Sequence, residues 1–454
     1  MKGWICALCA IVLCVALAGL ASGASAAPTP APTTPVAVQT LPPAGANTPG
    51  VQSQFDPEKA TDAYLATVGG KARAMSDAYF EGGYWLILWD ALYAIGVSAL
   101  LLWTKFSAGI RNFAQARVRS RFWQVPIYAI IYTIVVAVLT FPMTIYENFF
   151  REHQYGLSNQ TFLQWFGDFG TAFAVNLVIS TIVLTIIYAF VRLTRQYWWV
   201  WATLVSIVFA AILFMLAPVF IAPLFNHYSP LPDGPVKQQI LRLARANQIP
   251  ADNVYEFDAS RQSKRISANV SGFMGTTRIS MTDNLIKRCN PREIEAVLGH
   301  EMGHYVLDHN VIGLTWFSIL FLVVFAFVNY GFKWLVSIFG GNWDVRTIDD
   351  PAGLPVAVAL VSVFFLVATP VTNSMTRTLE QQADMFGLNA ARQPDGFATV
   401  TLKLSEYRKL DPSPFEEFVF YDHPSGRTRI HSAMVWKAAH INDPDIAAGP
   451  KSPE

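Results

Sequence analysis

The stretch "LGHEMGHYVLDHN", Leu298 to Asn310, runs directly into the apolar sequence "VIGLTWFSILFLVVFAF" at 311–327. A polar cluster of histidine and glutamate next to a spanning-length apolar run points to chemistry carried out at a membrane. On a helix, His300 and His304 lie one turn apart on one face and Glu301 sits about 100° around it. This is the HExxH spacing, in which two imidazoles hold a zinc ion and the glutamate stays free as a general base. A buried, hydrogen-bonded histidine pair would share the pattern, so the surrounding sequence has to decide. The helix start is also legible: Asn290 caps, Pro291 takes the first position and Glu293 follows three residues after the cap.

Composition agrees with a membrane setting. The 454 residues are 53% hydrophobic and 14% charged, against about 25% charged in an average soluble domain, and mean hydropathy is +0.33. A formal net charge of +1 leaves no field to attract nucleic acid. Lys2, the apolar run from Trp4 and the Ala24-Ser25-Ala26 site read as a secretory signal over residues 1–26, with an uncleaved anchor as the alternative. Residues 27–80 form a tether and lead-in, and 27–52 are Pro/Ala/Thr-rich, a composition that does not fold alone. Three of the four cysteines fall in the signal, which leaves Cys289 as an ordinary small apolar residue.

Windows near 84–104, 124–146, 170–191, 197–225, 311–336 and 354–375 are long and apolar enough to cross a hydrocarbon core of about 30 Å. Trp85, Trp123, Trp198 and Trp199 lie at their ends, where an interface holds such rings. The basic loops with Lys105, Arg111, Arg117, Arg119 and Arg121, and then Arg192 and Arg195, favour the cytoplasm. Counting spans from there puts 227–310 and 376–454 on the non-cytoplasmic side, although Asp344, Asp349 and Asp350 fall where the rule asks for positive charge. The expected organisation is transmembrane helices one to four over 81–226, a first catalytic part over 227–310, helices five and six over 311–375, and a second catalytic part with its tail over 376–454. Asp90 and Asn176, inside the spans, face either a bundle interior or a functional cavity.

Between spans four and five, an amphipathic helix around Val236, Ile240 and Leu243 is followed by strand-like runs at 254–258, 266–273 and 278–283, with a hairpin turn near Gly275. A catalytic zinc site takes three protein ligands and leaves one position open. "RTLEQQADMFG" supplies Glu380 as the third ligand and Asp384, four residues on, as a carboxylate to orient a ligating histidine. In "DHPSGRTRI", His423 can donate to a developing oxyanion and Arg429 can hold substrate or a carboxylate.

With the spans, "REHQYGLSNQTFLQWFGD", "SANVSGF", "HEMGH", "EQQAD" and "HPSGRTR", the chain from about 85 to 440 resembles the type I CAAX prenyl endopeptidases, integral-membrane zinc metalloproteases. The resemblance implies a mainly α fold: a polytopic helix bundle around a chamber, with a small α/β gluzincin-type domain. It implies one Zn2+ per chain on His300, His304 and Glu380, Glu301 activating water, Asn269 binding the substrate backbone, and His423 and Arg429 assisting. The partners are the lipid bilayer and a peptide or protein substrate, with a prenylated or membrane-associated one left open, and no nucleic acid. The signal and tether, the six spans and Val270-Ser271-Gly272 after the strand asparagine depart from the family's eukaryotic pattern and suggest a bacterial inner-membrane protein. A broad quality-control metalloprotease and a silent chamber or transporter-like binding protein are the alternatives.

Overall fold

The computed structural model describes residues 55–271 and 277–447. The expected signal, most of the tether and the hairpin turn at Gly275 lie outside them. A short helix, α1 (Pro57–Ala66), precedes α2 (Gly70–Trp103), α3 (Phe106–Arg117), α4 (Arg121–Gln154), α5 (Phe162–Thr194) and α6 (Trp198–Leu216). Next come β1 (Tyr228–Pro230), α7 (Pro235–Ala246), β2 (Val254–Phe257), β3 (Ala268–Ser271), β4 (Arg278–Thr282) and α8 (Asp283–Arg288). The chain then forms α9 (Pro291–Val306), α10 (His309–Trp343), α11 (Leu354–Ala391), α12 (Pro394–Leu404), α13 (Pro414–Phe420) and α14 (Gly426–Ala439).

Among the described residues, 5 continuous helical runs are long and apolar enough to cross a membrane. The run Phe162–Leu224 contains two of the expected windows. It breaks at Arg195, whose φ is 44°, and its arms pack against each other: Phe190 stacks on Trp201 at 5.4 Å, and Val183 and Val205 share one core. Trp85 and Trp123 are exposed as expected. Trp198 is not, because its indole is buried in the bundle and donates to Asn329 Oδ1 at 2.9 Å, so two groups too polar for lipid satisfy each other. Asp90 hydrogen-bonds Glu147, and Glu147 sits in a π-helical turn of α4. Asn176 Oδ1 is buried with no partner among the described residues.

The misplaced acids also find their reason. Arg111, on α3, is buried and bonds Asp350 Oδ2 at 2.7 Å, Asp344 Oδ2 at 2.6 Å and the Asp344 carbonyl at 2.7 Å. Ser107 on the same helix donates to the Ala352 carbonyl. The acidic and basic loops thus meet at one end of the bundle and neutralise each other.

At the other end the bundle grips the small α/β unit. Its sheet runs β1-β2-β4-β3, with β2 and β4 parallel and the other pairs antiparallel, so β3 is an edge. The end of α4, the loop after it and the start of α5 dock there: Glu152 pairs with Arg265 at 2.9 Å, Ser158 bridges Ser263, and Asp168 pairs with Arg261 at 3.3 Å. The lead-in is not all tether. Leu65 of α1 is buried with Leu388, Phe397 and Trp436, and Arg427 of α14 holds Glu58 and Asp62, each at 2.7 Å.

Leaving Asp344 and Asp350 without their cation should be costly, since breaking one side of a buried ion pair loses about 3–5 kcal/mol. Arg111→Met is therefore expected to lower the thermal unfolding midpoint of the detergent-solubilised protein by several degrees. Arg119→Met, at an exposed position just after α3, should change stability by no more than about 0.5 kcal/mol and leave the midpoint near that of the parent.

Candidate metal centre

The site is built where α9 crosses α11. Asn290 Oδ1 accepts the Arg292 and Glu293 amides and Glu293 returns a bond to the Asn290 amide, fixing where α9 begins and so which face carries the histidines. The crossing is close because glycines face it. A Cβ on Gly387 would lie 2.7 Å from the His300 amide nitrogen, and one on Gly303 would lie 3.1 Å from the Ala383 backbone. Helix α11 has 38 residues, which at about 1.5 Å per residue outruns a hydrocarbon core. Its far end therefore leaves the apolar window and brings Glu380 and Asp384 against α9.

His300, His304 and Glu380 are each buried, and their ligand atoms lie within 4.8 Å of one another. The two Nε2 atoms are 3.2 Å apart. Glu380 Oε2 is 3.2 Å from His300 Nε2 and Oε1 is 3.5 Å from His304 Nε2. Despite these approaches, Glu380 Oε2 has no hydrogen bond. Two imidazole nitrogens close to each other and a buried carboxylate oxygen left without a hydrogen bond among the described residues converge on one point, and this donor set fits a divalent metal.

Each of the two imidazoles is held from behind. His300 Nδ1 meets Asp384 Oδ1 at 2.7 Å, and Arg429 clamps that carboxylate with Nε at 2.9 Å and Nη2 at 2.5 Å. Arg429 thus holds a carboxylate through Nε and Nη2. Burial alone would push the His300 imidazole down, but the Asp384 and Glu380 carboxylates outweigh it and lift the metal-free ring to about 10. His304 Nδ1 instead meets His309 Nδ1 at 3.0 Å.

Glu301 is half-buried on the neighbouring face of α9, and desolvation pushes its carboxyl above the ordinary range. His423 brings Nε2 to 3.2 Å from Glu380 Oε2, with Nδ1 held by Asp422 at 2.9 Å. Asn269 stands on β3, registered with Ser280, and its buried Oδ1 has no hydrogen bond among the described residues. His309 received no role from its sequence, and the third histidine of the opening stretch was the signal for it. Cys289 is held inert, burial pushing its thiol up to about 11.

Two family models cover most of the chain: "Peptidase family M48" matches residues 230–437, and "CAAX prenyl protease N-terminal, five membrane helices" matches 70–227. An uncharacterized metalloprotease of Bacillus subtilis, YhfN, is 29% identical over 336 residues, covering 74% of this chain and 79% of that protein. The human CAAX prenyl protease 1 homolog is 24% identical over 362 residues, covering 68% and 74%. The crystal structure of Saccharomyces mikatae Ste24p superposes with a TM-score of 0.69 at 20% identity, over 83% of this chain and 95% of that one, and so shares its fold.

The close crossing yields a prediction. Gly387→Ala should force α11 away from α9, lowering both metal content and melting temperature. Gly313→Ala, where a Cβ meets nothing within 4 Å, should change neither. Metal analysis of the two purified variants together with thermal melts reads both effects.

Proposed function

The chain belongs to the type I CAAX protease family within the M48 peptidases and is an integral-membrane metalloendopeptidase, and from that premise we propose a zinc-dependent endopeptidase in which Glu301 moves the protons. The observation that carries the proposal is the convergence of His300 Nε2, His304 Nε2 and the unbonded Glu380 Oε2. Zinc is the ion that two imidazoles and a carboxylate suit best. When bound, it supplies Lewis acidity toward the attacking water and the scissile carbonyl.

The remaining work falls to the protein. Glu301 takes a proton from the attacking water and returns it to the leaving amine nitrogen. Asp384, steadied by Arg429, keeps the His300 ring in one orientation. His423, anchored through Nδ1 by Asp422, presents Nε2 beside Glu380 and is placed to donate to the oxygen on which charge develops.

The substrate enters as an extended strand. β3 is one of the two edges of the sheet among the described residues, so a peptide laid beside it gains main-chain hydrogen bonds, and Asn269 Oδ1, without a partner among those residues, accepts a substrate N–H. The domain plan follows: an exported N-terminal segment, the membrane bundle, and a catalytic unit split between the sequence before α10 and the sequence after the apolar part of α11. The basic loops around Arg111 and Arg192 support a cytoplasmic position for the opposite end of the bundle. They thereby support a non-cytoplasmic catalytic unit in a bacterial inner membrane. The relatives named for CAAX prenyl proteolysis support a prenylated C-terminal peptide as the substrate class.

Matched peptides with and without a prenylated CAAX terminus, offered to the purified protein, test this reading. Cleavage should favour the prenylated peptide and fall by at least about 10^3-fold in Glu301→Gln, in line with loss of general acid-base catalysis and its coupled steps. Asn269→Ala should mainly raise KM. Equal cleavage of both peptides would replace the prenyl specificity with broad membrane-protein turnover, and undiminished activity in Glu301→Gln would remove the proton-transfer assignment.

A further inference from the structure

The two ligating histidines are backed by different chemistry. Behind His300 stands an anion, Asp384, bound to a cation, Arg429. Behind His304 stands a second imidazole, His309, 4% exposed, whose Nε2 continues to Gln382 Oε1 at 3.1 Å. Asp308 makes this possible: its φ of 51° breaks α9 from α10 and brings His309 back beside His304. Asp is among the residues that tolerate this left-handed conformation.

The geometry assigns every proton in that chain. For His304 to offer Nε2 to a metal, Nε2 must carry a lone pair, so the proton of the neutral ring sits on Nδ1. That N–H points at His309 Nδ1, which must accept. His309 is then the neutral tautomer with its proton on Nε2, and Gln382 Oε1 accepts it. Each atom in the relay has one role only.

Resting on the metal reading above, we propose that His309 is a positioning residue. It locks the tautomer and ring plane of His304, with Gln382 closing the relay, and its neutrality is functional. Charge counting gives the reason: a divalent ion, Glu380 and Glu301 cancel, and Asp384 cancels against Arg429. An aspartate in place of His309 would leave the buried site with an uncompensated anion, and the added electron density on His304 would blunt the acidity of the ion. A histidine orients without adding charge.

The test uses full-length, detergent-solubilised protein and reads zinc affinity by chelator competition and the visible absorption of the cobalt(II)-substituted form. His309→Leu should weaken zinc by about 10–100-fold and shift the cobalt bands, while the metal-free melting temperature holds. His309→Gln, with one acceptor and one donor, should recover part of both losses. Gln382→Leu, at an exposed position of α11, should shift the same bands less and in the same direction, and it serves as well if His309→Leu does not fold. Wild-type uptake of both ions with unchanged affinity and spectrum in His309→Leu, or in Gln382→Leu if it alone folds, overturns this proposal alone. A wild-type protein that takes up neither ion overturns the metal reading and this proposal with it.

Discussion

The contact on which the rest depends is the crossing of α9 and α11 at glycine distance. A helix carrying HExxH has two imidazoles and no third ligand. A helix emerging from the membrane with a carboxylate has no reason to meet it. Gly299 and Gly303 on one side and Gly387 on the other let the backbones approach until an added methyl would strike main-chain atoms. At that separation Glu380 reaches His300 and His304 and Asp384 reaches the far side of the His300 ring. Packing density and ligand geometry are one constraint here, because the interior tolerates neither a gap nor an extra carbon.

Holding that crossing requires both ends of the bundle to be fixed. At one end the buried Arg111 gathers the buried Asp350 and the more exposed Asp344 into an ionic knot, which ties the loop before α11 to α3. At the other, the end of α4 and the start of α5 clasp the α/β unit through Glu152 with Arg265 and Asp168 with Arg261. Helix α1 then closes over α14 through Arg427, next to Arg429, whose clamp on Asp384 reaches back to His300. The positions of the ligands are consequences of contacts spread over the whole chain.

Much of this could be read from residues alone where the governing interactions are local. The cap at Asn290, the one-turn spacing of His300 and His304 and the length of the apolar windows depend on neighbours in sequence, and each is found in the structure as expected. That Glu380 and Asp384 share one helical face was legible from their spacing, and the structure brings both against the motif histidines. What depends on distant partners was not. Trp198 was expected at an interface and lies inside, because Asn329, 131 residues away, takes its N–H. The acids of the 344–350 loop contradicted the charge rule until Arg111 was seen to neutralise them. Arg429 could have held substrate or a carboxylate, and only the fold commits it to Asp384. His309 was visible in the first quoted stretch, but a positive φ at Asp308 turns it toward His304, and no periodicity reports a backbone reversal.

The central claim is that His300, His304 and Glu380 form a zinc site in the native protein. Zinc K-edge absorption on the purified, unreconstituted enzyme, with metal analysis of the same sample, tests it most directly. The account predicts one zinc per chain with a first shell of two imidazole nitrogens and oxygen at about 2.0–2.2 Å and no sulfur. A metal-free sample that refuses zinc, or a shell containing the sulfur of Cys289, would contradict it.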